Sequence, residues 1–385
     1  MSEESKIPFG RPWITDEDRQ AVMSVLDGPI LTHGPACQGF EDAFSGFLGG
    51  GHSVTTSSCT ASLHLFYMHY GIGAGDEVIL PSLSHVATAH TLEITGAKPV
   101  FIECHPDTGN MDPDLLEEAI TPLTKAICVV HFNGIPMDME RIMSVAEKHN
   151  LPVLEDCATG LGAKWNGIHV GLYGDAAGFS FYPAKHITAG EGGMFSSRLP
   201  EVTASIRRLR SFCYDRSLNE RALPGLYDVD GLGLNYRMSE MQAALGLSQL
   251  NRIDQMLEAR AQNFASYKER LSDLADVTIL ESKNPKGTDA HYCLTVMLSG
   301  SMSNKRNDML AGLTDAGIGV SVHYPHPLPR LKYYREKYGY DETRFQNAAA
   351  ISDRSLNLPL APHIDEKSLE RICNTFSNLI NEYRK

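Results

Sequence analysis

Much of what would define other protein classes is missing from this 385-residue chain. Its eight cysteines (Cys37, Cys59, Cys104, Cys128, Cys157, Cys213, Cys293 and Cys373) are scattered, with no CxxC pair, which argues against a zinc ribbon and against a disulfide scaffold. No apolar run reaches the length of a bilayer span. The opening stretch, MSEESKIPFGRPWITDED, lacks a basic segment followed by an apolar one, so no signal peptide is expected. Positive charge is also scarce: 34 Lys and Arg against 47 Asp and Glu give a net charge of −13. That balance speaks against a nucleic-acid or membrane partner, while leaving room for a local basic pocket around an anionic ligand. The expectation is a soluble, cytoplasmic protein. P-loop and HExxH patterns are absent, and GIGAGDE at 71–77 follows a predicted helix rather than a strand, so it reads as a turn. His323 and His326 lack a carboxylate or cysteine at ligand spacing, and no metal is expected.

What is present is a globular composition, 42% apolar and 21% charged, on a chain long enough for two or three domains. Short β-branched runs alternate with amphipathic segments: SVTT with ASLHLFYMHYG, EVILP with HVATAHTLEITG, KPVFIE with DPDLLEEAI, AICVVHF with DMERIMSVAEKHN, then PVLEDC. Such alternation predicts an α/β domain with a parallel sheet and helices on both faces. Asp112 and Pro113 read as a helix start, Gly71 and Gly96 as helix stops. The tract MSEMQAALGLSQLNRIDQMLEARAQNFASYKERLSDL is too long for one ordinary helix and reads as a bridge between domains. Beyond it, HYCLTVML, NKRNDMLAGLTDAGI, GVSVHYP and DEKSLERICNTFSNLINEYR predict strand, helix, strand, helix. The expected division is 1–254 and a smaller α/β domain over 255–385.

In an open parallel sheet, ligands gather beyond the carboxyl ends of the strands. Three polar groups fall at such ends: TTSSCTAS (55–62), VLEDCAT (153–159) and FSFYPAK (179–185). Lys185 follows an apolar run, and burial there favours the neutral, nucleophilic amine; taken alone, a lysine reads first as an exposed loop residue, and the neighbouring motifs shift the balance. Asp156 needs a cation or donors if buried, and a protonated pyridine nitrogen is one such cation. By itself it reads equally as a cap for CATGLGA. The hydroxyls of 55–62, with a helix start, suit a phosphate, which Ser180 can join, but serine and threonine are also common caps.

With serine and threonine, aspartate and lysine in this order, the chain resembles the DegT-type sugar aminotransferases, which are fold-type-I pyridoxal phosphate enzymes. The phrases that carry the resemblance are GIGAGDEVILPS, VATAHTLEITGAKPVFIE, VVHFNGIPMDME, VLEDCA, FSFYPAKHITAGEGGM, GLNYRMSEMQAALGLSQL, AGIGVSVHYP and LNLPL. The resemblance implies a three-layer αβα large domain with a mostly parallel seven-stranded sheet, plus a smaller C-terminal α/β domain. It implies pyridoxal 5'-phosphate, with pyridoxamine 5'-phosphate as the intermediate form. The implied activity moves an amino group from an amino acid, L-glutamate, to a keto sugar for amino-sugar or lipopolysaccharide synthesis.

Carried over by position, Lys185 forms the Schiff-base link and moves protons, and Asp156 pairs with the pyridine nitrogen. Thr60, the Ala61 amide and Ser180 hold the phosphate. Asn235 reaches the phosphate of the neighbouring subunit, which implies a homodimer with shared sites. His323, Tyr324 and Arg237 line the substrate pocket. Three positions depart from the family pattern: His85 stands where relatives stack an aromatic ring on the cofactor, Thr159 where they carry glutamine or glutamate, and Cys59 where they carry glycine. The turn ITAGEGGM resembles the branch acting on nucleotide-linked 4-keto-6-deoxy sugars, and also relatives that aminate an oxidised octulosonate. The alternatives are a sugar dehydratase, which carries histidine where Lys185 stands, and a non-catalytic cofactor-binding sensor.

Overall fold

The computed structural model describes residues 6–216, 223, 225–341 and 343–384. Five strands come first: β1 (His52–Thr56), β2 (Glu77–Pro81), β3 (Lys98–Ile102), β4 (Thr124–Val130) and β5 (Val153–Asp156). A two-residue hairpin, β6 (Lys164–Trp165) and β7 (Ile168–His169), precedes β8 (Ala176–Ser180) and β9 (Gly193–Ser197). The seven longer strands form one sheet in the order β1-β9-β8-β5-β4-β2-β3. Within it β9 alone runs against its neighbours, so the sheet is mostly parallel, as expected.

Side chains on a strand alternate between faces, and the cores follow that period. Val78, Leu80, Ala126, Cys128, Leu154 and Phe195 pack on one side. Ile79, Ile127, Val129 and Val153 pack on the other, continued by Phe179 and Met194. Both faces are apolar, so both need helices. The first face is covered by α3 (Cys59–His69), α4 (Val86–Thr95) and α6 (Pro200–Leu209), through Leu63, Phe66, Leu92 and Ile206. The second is covered by α2 (Pro35–Leu48), α5 (Met139–His149) and α7 (Glu240–Leu250), through Phe40, Phe44, Ile142 and Ala243. An outer helix, α1 (Asp16–Leu26), lies against α7. Gly96 ends α4 at φ 86° and Gly71 follows α3 at φ 65°, left-handed values that glycine adopts without strain.

After α8 (Ile253–Leu271), strands β10 (Val277–Ile279), β12 (Leu294–Leu298) and β13 (Ser355–Leu358) form an antiparallel sheet. Helices α9 (Arg306–Asp315), α10 (Lys332–Tyr338), α11 (Gln346–Arg354) and α12 (Glu366–Tyr383) complete this part. Its core joins Tyr267, Val296, Leu356 and Phe376. Short β11 (Gly287–Thr288) pairs with β6. Among the described residues no helix is long and apolar enough to cross a membrane.

One local expectation is refined and two are corrected. The long tract, as its length implied, is not one helix but two, the chain breaking at Asn251 and Arg252, where the guanidinium turns back to pair with buried Asp18 of α1 at 2.9 Å. DPDLLEEAI forms two single turns, 113–115 and 117–119, with Leu116 between them as the fully buried anchor. GVSVHYP is no strand: it meets β13 only at Ser321 and Asn357, and the Asn357 side-chain oxygen takes the His323 amide at 2.9 Å in place of a ladder bond.

Candidate active site

The carboxyl ends of β1, β2, β5 and β8 open onto one cavity of about 270 Å³, lined by Ser58, Thr60, His85, Asp156, Lys185 and Tyr324 among others. Asp156, at the end of β5, is buried. Its Oδ2 accepts from Thr88 Oγ1 of α4 at 2.8 Å, and its Oδ1 from the Ala158 amide at 3.1 Å. Turns rather than a helix follow it, so the cap reading reduces to that one local bond. Ser84 Oγ lies 2.7 Å from Thr88 Oγ1; since Thr88 gives its proton to Asp156, Ser84 is the donor here. A buried carboxyl group held by two donors is satisfied and placed to oppose a cation.

Lys185 leaves β8 through a turn closed by its own amide on the Tyr182 carbonyl at 2.8 Å. Burial lowers the affinity of its amine for a proton, against the pull of Cys59, Asp156 and Cys293. The side chain is half-buried, lines the cavity and sets Nζ 4.8 Å above the ring centroid of Tyr292.

Ser58 caps α3, accepting the Ala61 amide on Oγ at 3.0 Å. The Ala61 amide is therefore engaged, whereas Cys59 and Thr60, at the first two helical positions, have amides with no acceptor inside the helix. Such an end suits an anion. Two glycines make the cradle possible. A Cβ on Gly193 of β9 would lie 2.3 Å from the Ser58 carbonyl carbon, and one on Gly178 of β8 would lie 3.2 Å from Cys59 Sγ. The Cys59 thiol thus sits over a glycine, 3.9 Å from Asp156 Oδ1.

Other expected residues divide by position. His85 starts α4, its Nδ1 accepting the Ala87 amide at 3.2 Å, and its ring lies 5.6 Å from that of Tyr324 at 62°. Thr159 and Ser180 line the cavity, but the Thr159 hydroxyl gives its proton to the His131 carbonyl at 3.0 Å. His323 stands behind the wall, bonded to Asn133 Oδ1 at 3.1 Å and 3.3 Å from Ser321 Oγ; burial drives its pKa down to about 3. Asn235 is exposed and paired through its backbone with Ser211. Arg237 lies over the Phe212 ring at 5.3 Å. Neither lines the cavity of its own chain.

Sequence reasoning missed Thr88, which inside HVATAH looks like any helical residue. It also missed the buried pair behind Asp156. His131 Nε2 lies 3.0 Å from Glu155 Oε2, and Glu155 also accepts the amides of Gly171 (2.8 Å), Tyr173 (2.9 Å) and Gly174 (2.7 Å). His131, Glu155 and Cys157 converge closely enough for a metal ion. The Met137 amide already occupies His131 Nδ1 at 3.1 Å, however, and burial holds the Cys157 thiol well above its ordinary pKa, so the group is a hydrogen-bonded strut.

Comparison with known proteins agrees with this geometry. A family model described as the DegT/DnrJ/EryC1/StrS aminotransferase family matches residues 12–377. The chain is 35% identical over 379 residues to the spore coat polysaccharide biosynthesis protein SpsC of Bacillus subtilis, covering 97% of each chain. It is 35% identical over 373 residues to the GDP-perosamine synthase of Caulobacter vibrioides, covering 97% of this chain and 98% of that one. A Streptococcus pneumoniae protein assigned as a sugar aminotransferase superposes in its PMP form with a TM-score of 0.93 and 28% identity, over 98% of this chain and all of that one. Its PLP form gives 0.91, over 98% and 99%.

Proposed function

The chain belongs to the DegT/DnrJ/EryC1/StrS aminotransferase family, and from that premise we propose that it carries pyridoxal 5'-phosphate and transfers an amino group from L-glutamate to a keto sugar. The observation that carries this reading is the meeting of Lys185, Asp156 and the start of α3 around one cavity. These groups fit the cofactor in kind: an amine for its aldehyde, a satisfied carboxylate for its ring nitrogen, and free helix-end amides with the Thr60 and Ser180 hydroxyls for its phosphate. The PLP and PMP forms of the structural relative support the same choice.

Bound there, the cofactor supplies an electron-withdrawing ring that stabilises negative charge on the carbon of the bound amine. The chain's residues do the rest. Asp156, held by Thr88 and the Ala158 amide, keeps a proton on the ring nitrogen. Burial leaves Lys185 Nζ readier than an ordinary lysine to be neutral, so it can take a proton from the donor's amino-bearing carbon and deliver one to the sugar carbon. His85 and Tyr324 flank the space above the floor, and His323 backs that wall.

We further propose a homodimer. Leu223, Leu226 and Leu232 are 59–81% exposed in the segment leading to Asn235, an apolar stretch suited to a second copy. In that arrangement Asn235 reaches the partner's phosphate and Arg237 its substrate. Residues 1–254 form the cofactor-binding domain and 255–385 the smaller domain, in a reducing cytoplasm suited to the eight free, buried cysteines. The acceptor is a nucleotide-linked 4-keto-6-deoxy sugar, its nucleotide link being in keeping with the relative named GDP-perosamine synthase. The test is to load the protein with pyridoxamine phosphate and offer nucleotide-linked keto sugars and oxidised octulosonate. A product in which nitrogen replaces oxygen, with glutamate regenerating the loaded form, supports the reading. Conversion of neither acceptor class, in a protein that retains the cofactor, contradicts it.

A further inference from the structure

We propose that Tyr292 is a positioning residue for Lys185, its ring holding Nζ at the cavity wall whenever that nitrogen is protonated and not bonded to the cofactor. The proposal rests on the functional reading above, which gives Lys185 a free and a bonded state. At 4.8 Å from the ring centroid, Nζ lies within cation–π range.

The ring is held in place from several directions. Tyr292 is buried, and Arg260 of α8, also buried, donates to the Tyr292 carbonyl at 2.8 Å and to the His291 carbonyl at 3.3 Å. His186, the residue after the lysine, lies with Nε2 2.9 Å from the Ala290 carbonyl, while the Ala290 amide donates to Gly134 at 2.8 Å. Lys185 and Tyr292 are therefore tied through their own neighbours. The Tyr292 ring also stacks on His323, with centroids 5.6 Å apart and planes 25° from parallel.

The charges around Nζ leave the ring a task. The titratable groups facing it are Asp156 on β5, Cys59 on α3, His85 at the start of α4, its neighbour His186, Cys293 beside the tyrosine, and His323, with Glu191, Tyr182 and Tyr324 lining the same cavity. Burial pushes both thiols up, Cys293 to about 12, and keeps them uncharged. It also pulls the three imidazoles down, so none opposes the ammonium with a charge near neutral pH. Asp156 is the buried anion among them, Glu191 being exposed to water, and in the functional reading the cofactor ring occupies Asp156. The tyrosine face then remains as the partner that steadies a protonated Nζ.

The test compares wild type, Tyr292→Phe and Tyr292→Leu as full chains loaded with pyridoxamine phosphate, in which Lys185 is free. Acetylation of Lys185 by acetic anhydride is followed across pH by peptide mass, and each protein's pyridoxal form is separately reduced with borohydride. The phenylalanine variant should reproduce the wild-type pH profile. In the leucine variant the profile should move to lower pH, raising Lys185 labelling near neutrality by about two- to thirtyfold, the span of cation–π strengths. If leucine leaves the profile in place, moves it upward, or is matched in its shift by phenylalanine, the proposal is overturned. Tyr292→Met supplies the same comparison should the leucine variant not fold. Failure of borohydride to fix the cofactor on Lys185 in wild type instead overturns the functional reading, and the proposal with it.

Discussion

Thr88 and Asp156 meet across the floor of the cavity, the hydroxyl of α4 donating to the carboxylate of β5 at 2.8 Å. This one bond joins a helix and a strand end and fixes the orientation in which Asp156 meets whatever lies above it. Replacing Thr88 with valine keeps the shape and removes the donor, a loss of about 1–3 kcal/mol at a buried carboxylate. The expected result is roughly tenfold weaker cofactor binding, read by titrating the cofactor-free protein and following absorbance.

A second prediction concerns Gly193. Because a Cβ there would press on the Ser58 carbonyl carbon, Gly193→Ala must push the start of α3 away from β9. Overpacking of this kind costs about 1–3 kcal/mol. The variant should fold, melt at lower temperature and lose its phosphate-bearing cofactor on dialysis that leaves wild type loaded.

The buried Glu155 and His131 pair predicts a pH dependence. Burial alone would raise the Glu155 carboxyl, but the hydrogen bond from His131, with the Gly171 and Gly174 amides, outweighs it and holds the folded-state pKa below the ordinary value. The unfolded chain therefore binds this proton at higher pH than the folded one. The stabilisation is complete above the ordinary carboxylate range and is lost as pH falls through the lowered folded value. Glu155→Gln should cost about 1–3 kcal/mol near neutrality, as when hydrogen bonds to a buried carboxylate are lost. In urea unfolding, its deficit against wild type should shrink on acidification.

The parts of this molecule legible in its sequence are those fixed by local pattern. EVILP and PVLED are apolar runs with one possible partner layer on each face, so the sheet and its helices follow, and Asp156 and Lys185 stand out as polar residues ending such runs. Thr88 did not stand out, because its role exists only once α4 is laid over β5. Glu155 looked like a neighbour of Asp156, yet strand alternation sends the two carboxylates to opposite faces, one to a cavity and one to a strut. Tyr292 lies far from Lys185 in the chain and reads as an ordinary strand aromatic. GVSVHYP misled because its β-branched pattern is real, while its partner is an asparagine side chain rather than a strand.

The account turns on Lys185 as the residue that bonds the cofactor. The most direct measurement is borohydride reduction of the pyridoxal-phosphate-loaded protein, followed by digestion and mass spectrometry. The expected result is a single cofactor adduct on the peptide containing Lys185, absent from Lys185→Arg. An adduct on a different lysine, or its persistence in the arginine variant, would contradict the account.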